Sequence, residues 1–319
     1  MGKPYVVGID IGGQTTKTGI VDARGNVLAQ SIIRTDKYSD VTPFIDELCE
    51  SVISLAKSIG CIQQIRGIGI GAPNGNYYTG TIENAVNIIW GGSNSIPFAR
   101  MVADKIGIPV ALTNDANAAA VGEMTYGAAK GMKDFIMITL GTGVGSGIVI
   151  NGEVVYGHDG FAGELGHTTS VRYNGRLCNC GRTGCLETYA SAIGVARTAR
   201  EWLEMSKEPS LLREFTEPIT SKDVSEAASN GDELAIKVFE YTGQKLGEAF
   251  ADFVAFSSPE AIILFGGLAK AGDLLLNPIE KHMNANLLPL WKNKVKIIFS
   301  QLKESDAAIL GASALGWEL

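Results

Sequence analysis

The sequence lacks any apolar run near the roughly 18 residues of a membrane span, and no apolar signal-peptide core follows the opening Met1-Gly2-Lys3-Pro4. The expected compartment is therefore the cytoplasm, with no membrane partner. Positive charge is in deficit, with 27 Lys and Arg against 34 Asp and Glu and a net charge of −7. An acidic chain is a poor counter-ion for a phosphate backbone, so nucleic acid is not the expected partner. Proline is scarce, at 10 residues, and no Pro-rich linker, low-complexity stretch or long charge run breaks the chain. Cysteine numbers only five, an odd count that argues against a disulfide framework. The phosphate-loop pattern G-x-x-x-x-G-K-[ST] occurs nowhere.

What the chain does have is a large apolar share. Hydrophobic residues make up 45% of its 319 positions and charged residues 19%, which suits a folded α/β protein with a sizeable core. At about 150 residues per domain, two domains are expected. Glycine is abundant, at 39 residues, which implies tight turns.

The pattern along the chain is α/β. Short strands are expected at residues 5–11, 16–21 and 27–33. A helix follows, with Ile45, Leu48, Val52, Leu55 and Ile59 on one face. It opens at Thr42-Pro43 and stops at Gly60. A strand at 67–71, a helix opened by Ser95 and Pro97 and ending near Gly107, a strand at 110–113 and a helix to about Tyr126 come next. The opening pattern then restarts at 135–140, 146–150 and 153–156, with an Asn151-Gly152 hairpin turn. Helices are expected near 191–205, 221–229, 232–256, 274–286 and 307–317, with strands at 261–265 and 295–299. Cys49 and Cys61 are expected to be ordinary core residues.

Four groups of residues carry chemistry. Asp10-Ile11-Gly12-Gly13-Gln14-Thr15-Thr16-Lys17 puts a carboxylate at a strand end beside amides, hydroxyls and an ammonium. Gly12, Gly13, Thr15, Thr16 and Lys17 could hold phosphate oxygens, and Asp10 could hold Mg²⁺ through water. The second half repeats a glycine turn at Gly141-Thr142-Gly143, and a third stands at Gly266-Gly267. One such turn would be a plain hairpin. Two at matching places plus a third favour phosphate binding. Asn114-Asp115 sits at a strand-to-helix junction, where α/β sheets place ligands. Asp115 could take a proton from a hydroxyl, and the alternative for the pair is a simple helix cap. Lastly, His167 with Cys178, Cys180 and Cys185 offers three thiolates and one imidazole, a closed set suited to structural Zn²⁺. The alternative is three unliganded thiols. Glu164 and Glu187 flank this segment and could accept hydrogen bonds from a polyol, or be plain surface carboxylates.

Taken together these residues resemble the ROK family of bacterial sugar kinases and repressors, most of all its glucokinases. The resemblance runs from Val7 to Ala312 and rests on Asp10-x-Gly12-Gly13, Gly69-x-Gly71-x-Pro73, Asn87-Ile88 and Asn114-Asp115-x-Asn117-Ala118. It continues through Leu140–Gly145, Gly163-Glu164-Leu165-Gly166-His167, the Cys178–Glu187 segment and Gly266-Gly267. It implies an actin/hexokinase-like (ribonuclease H-like) α/β fold of duplicated domains with an interdomain cleft. It implies Asp115 as catalytic base, Asn87, Asn114, Glu164, His167 and Glu187 as sugar contacts, and His167 with the three Cys as zinc ligands. It also implies ATP with Mg²⁺ and a homodimer or larger homo-oligomer. Three positions depart from the family pattern: Gln14 stands for the usual Thr, Asn74 for a frequent Gly, and Val86 for the usual Pro.

The expected activity is phosphoryl transfer from ATP to the 6-hydroxyl of glucose. N-acetylglucosamine, N-acetylmannosamine, mannose and fructose are rival substrates. A sugar-sensing repressor is a rival of another class, but nine residues before Asp10 leave no expected helix-turn-helix, and a non-catalytic sugar binder is a third. The expected domains are 1–115 with 306–319, and 116–305.

Overall fold

The structure, a computed structural model, describes residues 3–92 and 95–319. Two compact units emerge from it. The first comprises residues 1–132, 147–163 and 300–319, and the second 133–146 and 164–299.

The first unit opens with an antiparallel meander, β1 (Tyr5–Ile11), β2 (Thr15–Asp22) and β3 (Val27–Arg34). Helix α1 (Val41–Ser58) follows. Its N-cap is Asp40, whose side chain accepts the Thr42 N–H at 2.8 Å, so the start lies before the expected Thr42-Pro43. Strand β4 (Ile65–Ala72) runs parallel to β1. Then comes a small antiparallel sheet of β5 (Gly75–Asn76), β6 (Thr81–Glu83) and β7 (Ser95–Ile96). Residues 95–96 are thus strand rather than helix, and α2 (Phe98–Ile106) starts only after Pro97. Strand β8 (Val110–Asn114) pairs parallel with β4 and leads directly into α3 (Asp115–Tyr126). The sheet order is β3-β2-β1-β4-β8.

The second sheet repeats this plan. Its strands are β9 (Phe135–Leu140), β10 (Val144–Ile150), β11 (Glu153–Val154), β12 (Ala261–Phe265) and β13 (Lys296–Phe299), in the order β11-β10-β9-β12-β13. The final strand of the meander is shorter than the expected 153–156. In the second unit lie α4 (Glu187–Ala190), α5 (Ala192–Met205), α6 (Ser221–Ser229), α7 (Glu233–Ser257) and α8 (Asp273–Asn286). Helix α9 (Glu304–Leu315) returns to the first.

Each unit has its own core. In the first, Ile9, Ile20, Leu48, Ile68, Phe44 and Phe98 are sealed between sheet and helices, with Cys49 and Cys61 among them as expected. In the second, Ile138, Ile262, Leu264, Leu246 and Phe250 do the same. Glycine serves more than turns. A Cβ on Gly8 would stand 2.1 Å from the Ile309 carbonyl, and one on Gly69 1.8 Å from that of Ala312. Bare sheet positions are what let α9 lie against β1 and β4. Among the described residues no helix is long and apolar enough to cross a membrane.

Candidate active site and metal centre

Parallel pairing aligns the carboxyl ends of β1, β4 and β8. Asp10 stands opposite Gly71, and Gly71 opposite Thr113. The next residues of β8 and α3 are Asn114 and Asp115, so two aspartates from distant parts of the chain meet at one end of one sheet. Asn114 caps α3, its Oδ1 accepting the N–H groups of Ala116 at 2.8 Å and Asn117 at 3.1 Å. This commits the oxygen to the helix cap. Asp115 is exposed at the first turn and accepts the Ala116 N–H at 2.8 Å.

The glycine turn after β1 belongs to the same cluster. Gly12 N–H donates to the Thr15 carbonyl at 3.0 Å. The backbone of Asn87 passes so close that a Cβ on Gly13 would lie 2.6 Å from the Asn87 carbonyl. Lys17 is the cross-strand partner of Asp10. The structure thereby gathers Asp10, Gly12, Gly13, Thr15, Lys17, Asn87, Asn114 and Asp115. It does not bring Thr16 to them. Strand alternation points Thr16 to the opposite face from Thr15 and Lys17. There it is fully buried, and its hydroxyl pairs with that of Thr35 at 2.8 Å. Thr16 is a pin inside the sheet, which corrects the expectation of a phosphate contact.

The second unit makes its own glycine cluster. Strands β9 and β12 are parallel, with Phe265 opposite Thr139. The turns that follow them, Gly141-Thr142-Gly143 and Gly266-Gly267, are therefore neighbours. Gly266 has φ +107° and its Cβ would stand 2.5 Å from the Leu140 carbonyl. Only glycine tolerates both conditions. Glu187 reaches the first of these turns, its Oε2 accepting the Val144 N–H at 2.9 Å.

Beside Glu187 lies the Cys/His cluster. The candidate ligand atoms of His167, Cys178, Cys180 and Cys185 all lie within 4.8 Å of one another. Cys180 and Cys185 Sγ are 3.7 Å apart, as are Cys178 Sγ and His167 Nδ1. A tetrahedron with metal–sulfur bonds of about 2.3 Å has edges of about 3.8 Å, whereas a disulfide needs about 2.0 Å. The donor set and its spacing fit Zn²⁺, which His167 Nδ1 and the three sulfurs would hold as a closed, structural ion. His167 Nε2 faces Glu164 Oε2 at 4.0 Å, beyond direct hydrogen-bond distance. Arg182, which the sequence did not single out, braces the loop by donating to the His167 carbonyl and the Thr169 hydroxyl, both at 3.1 Å. Its partners become neighbours only through folding.

The model of the ROK family matches residues 6–318. The chain belongs to the ROK family. It is 39% identical to the glucokinase of Halalkalibacterium halodurans, over 99% of this chain and 95% of that protein. It is 34% identical to a ROK family glucokinase of Streptomyces griseus, solved with glucose and AMPPNP, with a TM-score of 0.80 over 99% of this chain and 100% of that one. The xylose repressor of Caldicellulosiruptor bescii is 29% identical over 97% of this chain, which spans 77% of that repressor. The repeated sheet order is thus the actin/hexokinase-like fold of ROK sugar kinases.

The electrostatics of the first cluster suit proton transfer. Desolvation, with the Asp115 charge next and Lys17 opposing, pushes Asp10 up to about 6. Desolvation also raises Asp115, against the Ala116 N–H that favours its charged form. The sign for stability follows from Asp10. The folded state binds its proton more tightly than the unfolded chain, so stability falls as pH rises from about 4 to about 6. Two pKa units correspond to about 3 kcal/mol. Asp10→Asn in magnesium-free buffer should therefore be more stable than the parent above pH 6, with the gap closing near pH 4. Urea unfolding at both pH values measures this, and a pH-independent gap would contradict it.

Proposed function

We propose that this sugar kinase transfers the γ-phosphoryl group of ATP to the 6-hydroxyl of glucose, with Asp115 as general base. The observation that carries the reading is Asp115 itself. It is a carboxylate at a sheet's carboxyl end, fixed by a capped helix and raised in pKa by the protein that surrounds it. A carboxylate above its ordinary pKa is a better proton acceptor.

In the step proposed, the sugar oxygen forms a bond to phosphorus as the bridge to the β-phosphate breaks. The hydroxyl proton goes to Asp115, and ADP leaves with the electron pair of the broken bond. Such transfers depend mostly on positioning and on spreading charge over the phosphoryl oxygens. Backbone amides of Gly13 and Gly143 supply donors, as do the Thr15 and Thr142 hydroxyls, and Lys17 supplies charge, while the Gly12 and Gly141 N–H groups close the two turns on the Thr15 and Gly143 carbonyls. Gly266-Gly267 leaves room for the nucleotide. Mg²⁺, when bound, neutralises phosphate charge, and Asp10 is the residue to hold it through water. A cation there also offsets the repulsion between Asp10 and Asp115. Asn87, Asn114, Glu164, His167 and Glu187 are the proposed sugar contacts. A homo-oligomer is the proposed assembly, and nucleic acid and membrane are not proposed as partners.

Glucose is favoured because the glucokinases named above reach 34–39% identity over nearly the whole of both chains, against 29% for the xylose repressor. The test is sugar-dependent ADP release with MgATP across glucose, N-acetylglucosamine, N-acetylmannosamine, mannose, fructose and a blank without sugar. Turnover is expected to be highest with glucose. A higher kcat/KM for another sugar would move the substrate, and turnover with none would defeat the activity.

A further inference from the structure

Arg176 sits in the metal-binding loop, two residues before Cys178, and no motif draws attention to it. Its side chain is only 9% exposed, an unusual place for a guanidinium. Every contact explains the burial. Nη1 donates to the Thr188 carbonyl at 2.8 Å and the Gly194 carbonyl at 3.3 Å. Nη2 donates to the Thr198 hydroxyl at 2.9 Å and to Glu201 Oε2 at 2.6 Å. The guanidinium also lies over the Tyr189 ring, 4.6 Å from its centroid. The Arg176 backbone is held as well. Its N–H donates to the Tyr189 hydroxyl, and its carbonyl accepts the Gly184 N–H, both at 2.8 Å.

These partners belong to two bodies. Gly184 and Arg176 are in the loop that carries the cysteines. Thr188 and Tyr189 are in α4, whose first residue is Glu187, and Gly194, Thr198 and Glu201 are in α5. Glu187 in turn touches both neighbours. Its Oε2 takes the Val144 N–H, and its Oε1 lies 3.7 Å from Cys178 Sγ. Loop and helix are also tied at their junction, where the Cys185 carbonyl accepts the Thr188 N–H at 3.0 Å and the Thr188 hydroxyl at 2.8 Å, while inside the loop isolated bridges pair Thr169 with Cys185 and Leu177 with Thr183.

We propose that Arg176 is a positioning residue. It rivets the metal-binding loop to α4 and α5, and thereby fixes both the sulfur cage and the Glu187 carboxylate. The rivet needs the planar fork, since one ammonium cannot serve four acceptors lying in different directions. The part concerning the sugar rests on the reading of Glu187 as a substrate contact. The part concerning the metal does not.

The test compares the zinc-loaded parent with Arg176→Met, which keeps the apolar stem. Zinc transfer to a chromogenic chelator should run at least about fivefold faster, and KM for glucose should rise about tenfold, the range seen when a group behind a ligand is removed. The kcat and the KM for ATP should stay within about threefold, because no group that meets the phosphates is altered. A merely structural role would lower the melting temperature and leave both quantities alone in the folded enzyme. That outcome overturns the proposal. Should Arg176→Met not fold, Glu201→Ala removes one acceptor and should move both quantities the same way by about threefold. No change in either would also overturn it. Glu187→Gln separates the two ideas. If its KM for glucose is normal, the reading of Glu187 fails and the zinc rate alone decides the rivet.

Discussion

Asp115→Asn should lower kcat about a thousandfold, the middle of the range for a positioned general base, while glucose affinity stays within about threefold. The substitution is nearly isosteric. The amide oxygen can still accept the Ala116 N–H, and the Asn114 cap that aims the helix is untouched. What disappears is the ability to take a proton from the sugar hydroxyl. A second consequence appears next door. Part of the rise in the Asp10 pKa comes from the Asp115 charge, so Asp10 should titrate at lower pH in the variant. In the parent, kcat should rise through an acid limb above the ordinary carboxylate range, since desolvation raises the base. The residual rate of the variant should lack that limb. Steady-state kinetics across pH and calorimetric glucose titration measure these effects. Turnover near that of the parent would remove Asp115 from the role.

The sequence told most where local and tertiary preferences agree. Strands β1, β9 and β12 and helix α6 are bounded by the residues their composition indicates. Apolar runs end at Gly or Pro, and a Thr220–Asp223 capping box starts α6. The small sheet was illegible because two or three residues carry no period. Ser95-Ile96-Pro97 looks like a helix entry, and only pairing with Ile82 and Glu83 makes its first two residues strand. Glycines 8 and 69 lie inside strands that the sequence indicated, but why those positions are bare was not legible there. The reason they are glycine lies in α9, some 300 and 240 positions away. In the site, Asp10, the glycine turns and the Cys/His cluster were visible from residue type and spacing. The burial of Thr16 was available from strand alternation with Thr15 and Lys17. Arg176 was not available at all, since its partners Thr198 and Glu201 meet it only in the folded chain.

Removal of the metal should have the other large effect. Cys178→Ser should release zinc and lower kcat/KM for glucose more than about a hundredfold. Structural zinc contributes on the order of 10 kcal/mol in small zinc-binding peptides, comparable to the whole stability of many domains. The second unit nevertheless has a separate apolar core of sheet and helices, so the loss should fall on residues 168–186 rather than on the unit. That stretch has almost no ladder of its own, and its turns at Gly181 and Gly184 take positive φ. Without an ion Cys178 and Cys185 keep their protons, being raised by burial, whereas Cys180, against desolvation, is held below the ordinary thiol range by hydrogen bonding from Arg182 and the neighbouring thiols. Desolvation and the neighbouring thiols push Cys185 up to about 12, and the cage has nothing to draw it together. His167 then loses its anchor, and Glu164 the imidazole that faces it. Glu187 loses the neighbour that faces its Oε1. Both carboxylates proposed to meet the sugar are disturbed at once, while the β9 and β12 glycine turns keep their sheet. KM for glucose should therefore rise far more than KM for ATP. Metal analysis, limited proteolysis within 168–186 and the two KM values together give the answer. A zinc-free enzyme with a normal KM for glucose would show that the loop is held by its protein contacts alone, with Arg176 chief among them.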